Sequence, residues 1–170
     1  MALQMIFCVE TNKKADTDSI YISETLKSIY EIDNKVKINK VYLEKKSKYN
    51  AKDVSREIES KIKAFTIGET KVIYCIDTDA YEANYEHKRE LEDIAHFCQD
   101  KGYELVWFCH DVEEVYLGKK VSDSQKVSEA ATFRRKKSIE NIHIDKLSSN
   151  VMRKGASNIL KILDKYLKRK

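Results

Sequence analysis

The sequence predicts an α/β protein: an open, mainly parallel sheet of about four strands with helices on both faces, and a helical C-terminal extension. Short apolar segments of strand type alternate along the chain with longer segments whose apolar residues recur every three or four positions. The segment at 72–76 is apolar at every position, which is typical of a strand buried on both faces of a parallel sheet. Parallel neighbours need long connections, and the helical segments supply them.

The elements of the predicted core occupy residues 1–121 in the order β-α-β-α-β-α-β, with a short helix at the end. Strands are expected at 4–9, 36–43, 72–76 and 104–109. Helices should follow them at about 18–30, 50–66, 85–101 and 112–117. Gly102 is placed to end the third helix, and Asp111 is a natural N-cap for the fourth, with Glu114 at the third position after it.

The last third of the chain, 122–170, is predicted to be a basic helical extension packed on the core within a single domain. Ser122 to Lys137 has helical character, and a final helix is expected from Asn150 to Lys168. The apolar stripe expected to pack that final helix consists of Val151, Ile159, Ile162, Leu163, Tyr166 and Leu167.

Composition narrows the class of protein. The 170 residues are 42% hydrophobic and 35% charged with no proline, which indicates a globular chain. No apolar run is long enough to cross a bilayer, and the start, MALQMIFCVE, lacks the pattern of a signal peptide. We therefore expect a cytoplasmic protein without membrane contact. The four cysteines lack CxxC spacing and are expected to be reduced core thiols.

Charge is distributed unevenly along the chain. Residues 77–114 carry a net charge of −9, whereas residues 115–170 carry +10. An acidic centre followed by a basic third is compatible with a metal site beside a phosphate-rich partner such as DNA or RNA. The alternative is that both blocks form solvated helix faces that offset each other.

Three carboxylates follow strands that should end at one edge of the sheet. Glu10 ends the first strand, and Asp77 and Asp79 end the third. In wound α/β sheets, binding sites form outside the carboxyl ends of the strands. Two residues apart in an extended segment, Asp77 and Asp79 should share a face. Carboxylates gathered in this way need a cation, and hard oxygen ligands favour Mg²⁺, with Mn²⁺ as the alternative.

This pattern resembles Toprim domains. The segments IFCVE and VIYCIDTD look like the two Toprim motifs, a strand that ends in Glu and a later strand that ends in Asp-x-Asp. The segment VWFCHDVEEVYLG resembles the acidic, aromatic-rich helix of RloB-like proteins from phage-defence loci. The similarity covers residues 4–118.

The resemblance implies a metal-dependent nuclease or phosphoryl-transfer domain that acts on DNA or RNA, in phage defence or a mobile element. By position it implies Glu10 as the general acid/base and Asp77 and Asp79 as magnesium ligands.

Other residues extend this candidate site. Glu113 or Glu114 could add a carboxylate from the exit of the fourth strand, although acids in the first turn of a helix are common for electrostatic reasons. His110 stands at the same exit and could act as an acid/base, but a lone histidine there is more often incidental. The basic run Arg134, Arg135, Lys136 and Lys137 is the leading phosphate contact, ahead of Lys119, Lys120, Arg153 and Lys154.

Two further functions stay open. The basic last third, and Thr11 where Toprim domains usually have glycine, favour a catalytically degenerate module that binds a partner protein. An Asp-x-Asp that binds Mn²⁺ in a nucleotide-sugar enzyme is the weaker alternative, because the chain is short and has no glycine-rich nucleotide loop.

Overall fold

The computed structural model describes all 170 residues and contains five strands and seven α-helices. The strands are β1 (Ala2–Val9), β2 (Val36–Tyr42), β3 (Gly68–Asp77), β4 (Glu104–Cys109) and β5 (Ala156–Ser157). The helices are α1 (Asp18–Ile29), α2 (Lys52–Ala64), α3 (Tyr85–Lys101), α4 (Val112–Leu117), α5 (Lys126–Arg135), α6 (Ile144–Leu147) and α7 (Ile159–Leu163).

The strands form one sheet in the order β2-β1-β3-β4-β5. β1 pairs in parallel with both β2 and β3, and β3 pairs in parallel with β4. Only β5 is antiparallel. The predicted α/β class and mainly parallel sheet are therefore confirmed.

Helices cover both faces of the sheet, as predicted. Alternate residues of β1 show this, because Phe7 lies in a core cluster with residues of α1, α4, α5 and α7, whereas Ile6 packs with residues of α2 and α3. The first cluster includes Phe133, Leu147 and Leu163 from the last third of the chain. The C-terminal elements thus share the core of the parallel sheet.

The prediction of one final helix from Asn150 to Lys168 is wrong. Gly155 has a φ of +77°, which interrupts any helix there, and residues 156–157 form β5 beside β4. Asn158 then completes this edge: its Oδ1 accepts from the Trp107 N–H and its Nδ2 donates to the Leu105 carbonyl, both at 2.9 Å. Only residues 159–163 are helical, and Val151 is 67% exposed. Without this segment, backbone groups of the edge strand β4 would lack hydrogen-bond partners. Satisfying them favours the observed strand and loop over the long helix that the apolar periodicity predicts.

No helix of the structure is both long enough and apolar enough to cross a membrane.

Candidate metal centre at the carboxyl edge of the sheet

The segments IFCVE and VIYCIDTD end at the point where the chain reverses the direction in which it adds strands to the sheet. The chain passes from β1 outward to β2 and then returns to β3 on the other side of β1. In this architecture such a reversal is where a crevice is expected outside the carboxyl ends of the two strands, here β1 and β3, and it is the usual location of sites. Glu10 follows β1 and Asp77 ends β3, and these two strands are parallel neighbours, which meets the condition for their carboxylates to lie at one edge of the sheet.

Glu10 and Asp77 are in direct contact. The backbone N–H of Asp77 donates to Oε2 of Glu10 at 2.6 Å. The side chain of Asp77 is held from the other direction, because its Oδ1 accepts from the N–H of Val112 at 3.1 Å. The predicted N-cap of α4 is confirmed as well, since Asp111 Oδ1 accepts from the Glu114 N–H at 2.8 Å. The start of α4 therefore positions one of the two carboxylates.

Asp79 is placed differently from the expectation. It has a φ of +51°, in the left-handed region, so the predicted extended segment from Asp77 to Asp79 does not continue through Asp79. Its N–H donates to the carbonyl of His110 at 2.8 Å, and its side chain is 44% exposed. Asp79 consequently lies at the open side of the site, whereas Asp77 is held inside it.

Lys46 links these carboxylates. Its Nζ lies 2.5 Å from Oδ2 of Asp79 and 3.9 Å from Oε1 of Glu10, and its side chain is only 8% exposed. The sequence analysis missed this residue. A signal existed, because Lys46 lies four residues after β2, whose carboxyl end is at the same edge of the sheet.

Two more buried acids surround the crevice. Asp18, the first residue of α1, is 6% exposed, and Glu113 of α4 is 1% exposed. Both carboxylate oxygens of Glu113 lack a hydrogen-bond partner, and its nearest cation is Lys126 Nζ at 4.0 Å. The sequence analysis placed Asp18 only at the start of the first predicted helix, because a first-turn aspartate looks the same whether it faces solvent or a site.

The crowding of acids raises their pKa values. Burial is the main reason that the pKa of Glu10 rises to about 7; Asp79 and Glu90 add to the rise, and Lys46 and the Asp77 N–H oppose it. Burial, and then the charge of Glu10, also raise the pKa values of Asp77 and Asp18 well above the usual range for aspartate. Lys46 and Lys126 thus compensate only part of the negative charge of the acids in this crevice.

A hard divalent cation fits this donor set. The ligands on offer are carboxylate oxygens, which suit Mg²⁺ or Mn²⁺. The oxygens of Glu113 have no hydrogen-bond partner and only Lys126 Nζ at 4.0 Å, which marks a buried charge that is incompletely compensated. Glu10, Asp77 and Asp79 are the residues that would hold such an ion. Glu114, the fourth ligand suggested by the sequence, has its Oε2 3.4 Å from Nδ1 of His110 instead. Of the two adjacent glutamates, Glu113 is the one whose charge acts on Asp77.

The basic run at 134–137 lies away from this crevice. Lys126, at the start of α5, approaches Glu113, but Arg134 is eight residues further along the helix, a distance of about 12 Å. Arg134 Nε lies 3.4 Å from Oε1 of Glu24. The structure brings none of these four basic residues into contact with Glu10, Asp77 or Asp79.

A second basic group, here called the lysine pocket, lies nearer to Asp77 than the run at 134–137 does. It is a cavity of about 290 Å³ lined by Glu114, Gly118, Lys119, Lys120, Lys146, Lys154 and Gly155. Asp77 is opposite Phe108 across the sheet, and Cys109 is opposite Ala156, so the pocket lies about two strand spacings, ~10 Å, from Asp77. Among its lysines only Lys119 has an acidic partner, Glu129 at 3.1 Å.

No family model, curated protein or solved structure matches this chain.

Proposed function

We propose that this chain is a Toprim-like, Mg²⁺-dependent nuclease or phosphoryl-transfer domain that acts on DNA or RNA. The observation that carries the proposal is the contact of Glu10 with Asp77 at the reversal point of the sheet, inside a crevice with more buried acids than nearby cations. A role in phage defence or a mobile element remains a prediction from the resemblance to RloB-like proteins.

Magnesium, when bound, supplies stabilisation of the negative charge that develops on the phosphate oxygens. In the free protein, burial raises the pKa of Glu10 to about 7. A bound divalent cation would lower that pKa, so Glu10 would be an ionised carboxylate that can take up a proton as a general base. Its Oε2 is held by the Asp77 N–H, which leaves Oε1 on the side of Lys46.

Lys46 has a second role in this proposal. Its ammonium group offsets part of the charge of Asp79 and Glu10 in the free protein. Once a divalent cation takes over that task, the ammonium is available to a phosphate oxygen of the substrate. Lysine suits this role because its charge is compact and its side chain is flexible.

The lysine pocket favours nucleic acid over a small phosphorylated substrate. A nucleic acid strand with one phosphate at Glu10 and Asp77 would extend along the sheet edge toward a cavity that holds four lysines and one glutamate. Contacts of this kind position a backbone without reading its sequence.

The test is calorimetric titration of Mg²⁺ into the wild type, Asp77→Asn and the control Asp100→Asn, which changes an exposed aspartate of α3. We expect saturable binding that is lost only in Asp77→Asn, together with Mg²⁺-dependent cleavage of DNA or RNA that is lost in Glu10→Gln. Binding that persists in Asp77→Asn, or cleavage without added metal, would contradict the proposal.

A degenerate, partner-binding module is the second candidate, and the ion pair between Lys46 and Asp79 favours it. A built-in ammonium group can neutralise a site that no longer binds metal. Under this alternative, Mg²⁺ does not bind the wild type even with oligonucleotide present, and Lys46→Ala lowers stability without affecting any cleavage activity.

A further inference from the structure

A second cluster of metal-binding side chains lies at the exit of β4. Glu82, Cys109 and His110 each offer a ligand atom, and these atoms lie within 4.8 Å of one another. The nearest pair is His110 Nε2 and the Glu82 carboxylate, at 2.9 and 3.0 Å. None of these residues belongs to the carboxylate site formed by Glu10, Asp77 and Asp79.

The chemistry of this cluster differs from that of the carboxylate site. Thiolate and imidazole are softer ligands than carboxylate and favour zinc-type transition metals over Mg²⁺. Ligand atoms of a tetrahedral zinc ion stand roughly 3.3 to 3.8 Å apart, given Zn–S and Zn–N distances of about 2.3 and 2.0 Å. The present spacing, 2.9 Å between His110 Nε2 and Glu82 and at most 4.8 Å for any pair, is close to that geometry.

A buried carboxylate lies behind the histidine. Oε2 of Glu114 accepts from the backbone N–H of His110 at 3.4 Å and also lies 3.4 Å from Nδ1, and the Glu114 side chain is 3% exposed. Nε2 of His110 is hydrogen-bonded to the Glu82 carboxylate, at 2.9 and 3.0 Å from its two oxygens, so the two groups already face each other as neighbouring metal ligands would. A carboxylate behind the histidine is also the usual support of a metal-binding imidazole.

The surroundings of the cluster differ on its two sides. Cys109 is fully buried and packs with Trp107 and Ala156, whereas the Glu82 side chain is 49% exposed. Three protein ligands with one open side match the sites in which zinc retains a water molecule.

We propose that Glu82, Cys109 and His110 form a binding site for Zn²⁺ or a similar transition metal, with Glu114 as the positioning residue behind His110. The site is separate from the proposed magnesium site, but the backbone connects them. The carbonyl of His110 accepts from the Asp79 N–H at 2.8 Å, and the N–H of Val112 donates to Asp77. Metal binding at the β4 exit would therefore hold in place the segment that positions both aspartates.

The experiment is titration of the metal-stripped full chain with Co²⁺, followed by optical absorption. We expect a sulfur-to-cobalt charge-transfer band and the visible bands of tetrahedral cobalt, and we expect Zn²⁺ to displace both. Cys109→Ala should abolish the charge-transfer band, whereas the matched Cys98→Ala, at another buried cysteine, should retain it. Glu114→Gln should weaken Zn²⁺ affinity by about 10- to 100-fold.

Two further variants keep the proposal falsifiable. Asp77→Asn should retain the cobalt bands while losing Mg²⁺ binding, which separates failure of this site from failure of the proposed function. If Cys109→Ala does not fold, as judged by circular dichroism, His110→Ala at a partly exposed position replaces it and should weaken binding at least tenfold. The absence of any cobalt–sulfur band, or a band that survives in Cys109→Ala, would overturn the proposal and leave His110 as a hydrogen-bonded neighbour of Glu82.

Discussion

Two aspartates of this chain, Asp77 and Asp164, show opposite environments for the same side chain. Asp164, just after α7, accepts from the Tyr30 hydroxyl at 2.8 Å and from Arg169 through both oxygens, at 2.8 and 2.7 Å. These contacts, with Arg169 the strongest, lower its pKa. Asp77 accepts one backbone N–H, is surrounded by other acids and has a raised pKa.

The contrast separates a carboxylate whose contacts stabilise the fold from one whose burial among other acids costs stability. Partners that favour the charged form of Asp164 join the C-terminus to α1. At Asp77, by contrast, the fold tolerates an unfavourable charge, which is typical of sites where stability is given up for binding or catalysis. The predictions below measure this contrast, beginning with the largest expected effect.

The first prediction concerns pH and Glu10. Burial raises the pKa of Glu10 to about 7, so the native state binds a proton that the unfolded chain has released above its ordinary value near 4.5. The free energy of unfolding should therefore fall as pH rises from 5 to 8, by roughly 2 kcal/mol from this group in the absence of metal. Urea unfolding in EDTA at several pH values measures it.

Glu10→Gln is the control for that pH dependence. The amide oxygen can still accept from the Asp77 N–H, but the group no longer titrates, so the fall in stability should become shallower. Equal pH profiles of the wild type and Glu10→Gln would refute the assignment of this effect to Glu10.

The second prediction concerns the well-partnered C-terminal region. Asn158→Ala removes two hydrogen bonds to β4 and leaves the Trp107 N–H and Leu105 carbonyl without those partners. The free energy of unfolding should drop by about 2 kcal/mol. Asn150→Ala, at an exposed asparagine, is the matched control and should be neutral in the same urea titration. Equal stabilities of the two variants would show that the edge of β4 does not depend on Asn158.

The third prediction tests the two aspartates against each other at pH 8 without metal. Asp77→Asn should raise the free energy of unfolding by about 1 kcal/mol, because it removes a costly charge and keeps an oxygen for the Val112 N–H. Asp164→Asn should lower it by about 1 kcal/mol, since it weakens charge-assisted contacts that are partly screened by solvent. If both variants change the free energy of unfolding in the same direction, the two aspartates do not have opposite effects on stability and the contrast is wrong.

The smallest predicted effect concerns the lysine pocket. Lys120→Ala should reduce the slope of log affinity against log salt concentration by about 0.7 to 0.9 if one phosphate contact is lost. Lys101→Ala, at the opposite end of α3 from the site, is the control and should leave the slope unchanged. Fluorescence anisotropy with a labelled oligonucleotide measures both, and an equal slope in all three proteins would exclude the pocket as a phosphate contact.

Much of the parallel core could be predicted because its signals are local. The continuous apolar run before Asp77 indicated a central strand, and the capping pattern at Asp111 fixed the start of α4. The C-terminal third was harder, because Ile159 and Leu163 fit a long helix as well as a short one. Asn158 and Gly155 decide the outcome through contacts with β4, which lies about fifty residues earlier in the chain.

For the site, the sequence determined that Glu10 and Asp77 follow strands of one parallel sheet, since strand periodicity and helical connections place the carboxyl ends of such strands at one edge. The tertiary structure decided that β1 and β3 are neighbours. Only the tertiary structure decided which other charges join them. Asp18, Lys46 and Glu113 reach the crevice from three different elements, and their burial depends on packing that has no local signature. The same packing sets the raised pKa values, because desolvation and charge proximity are properties of the folded chain and not of its residue order.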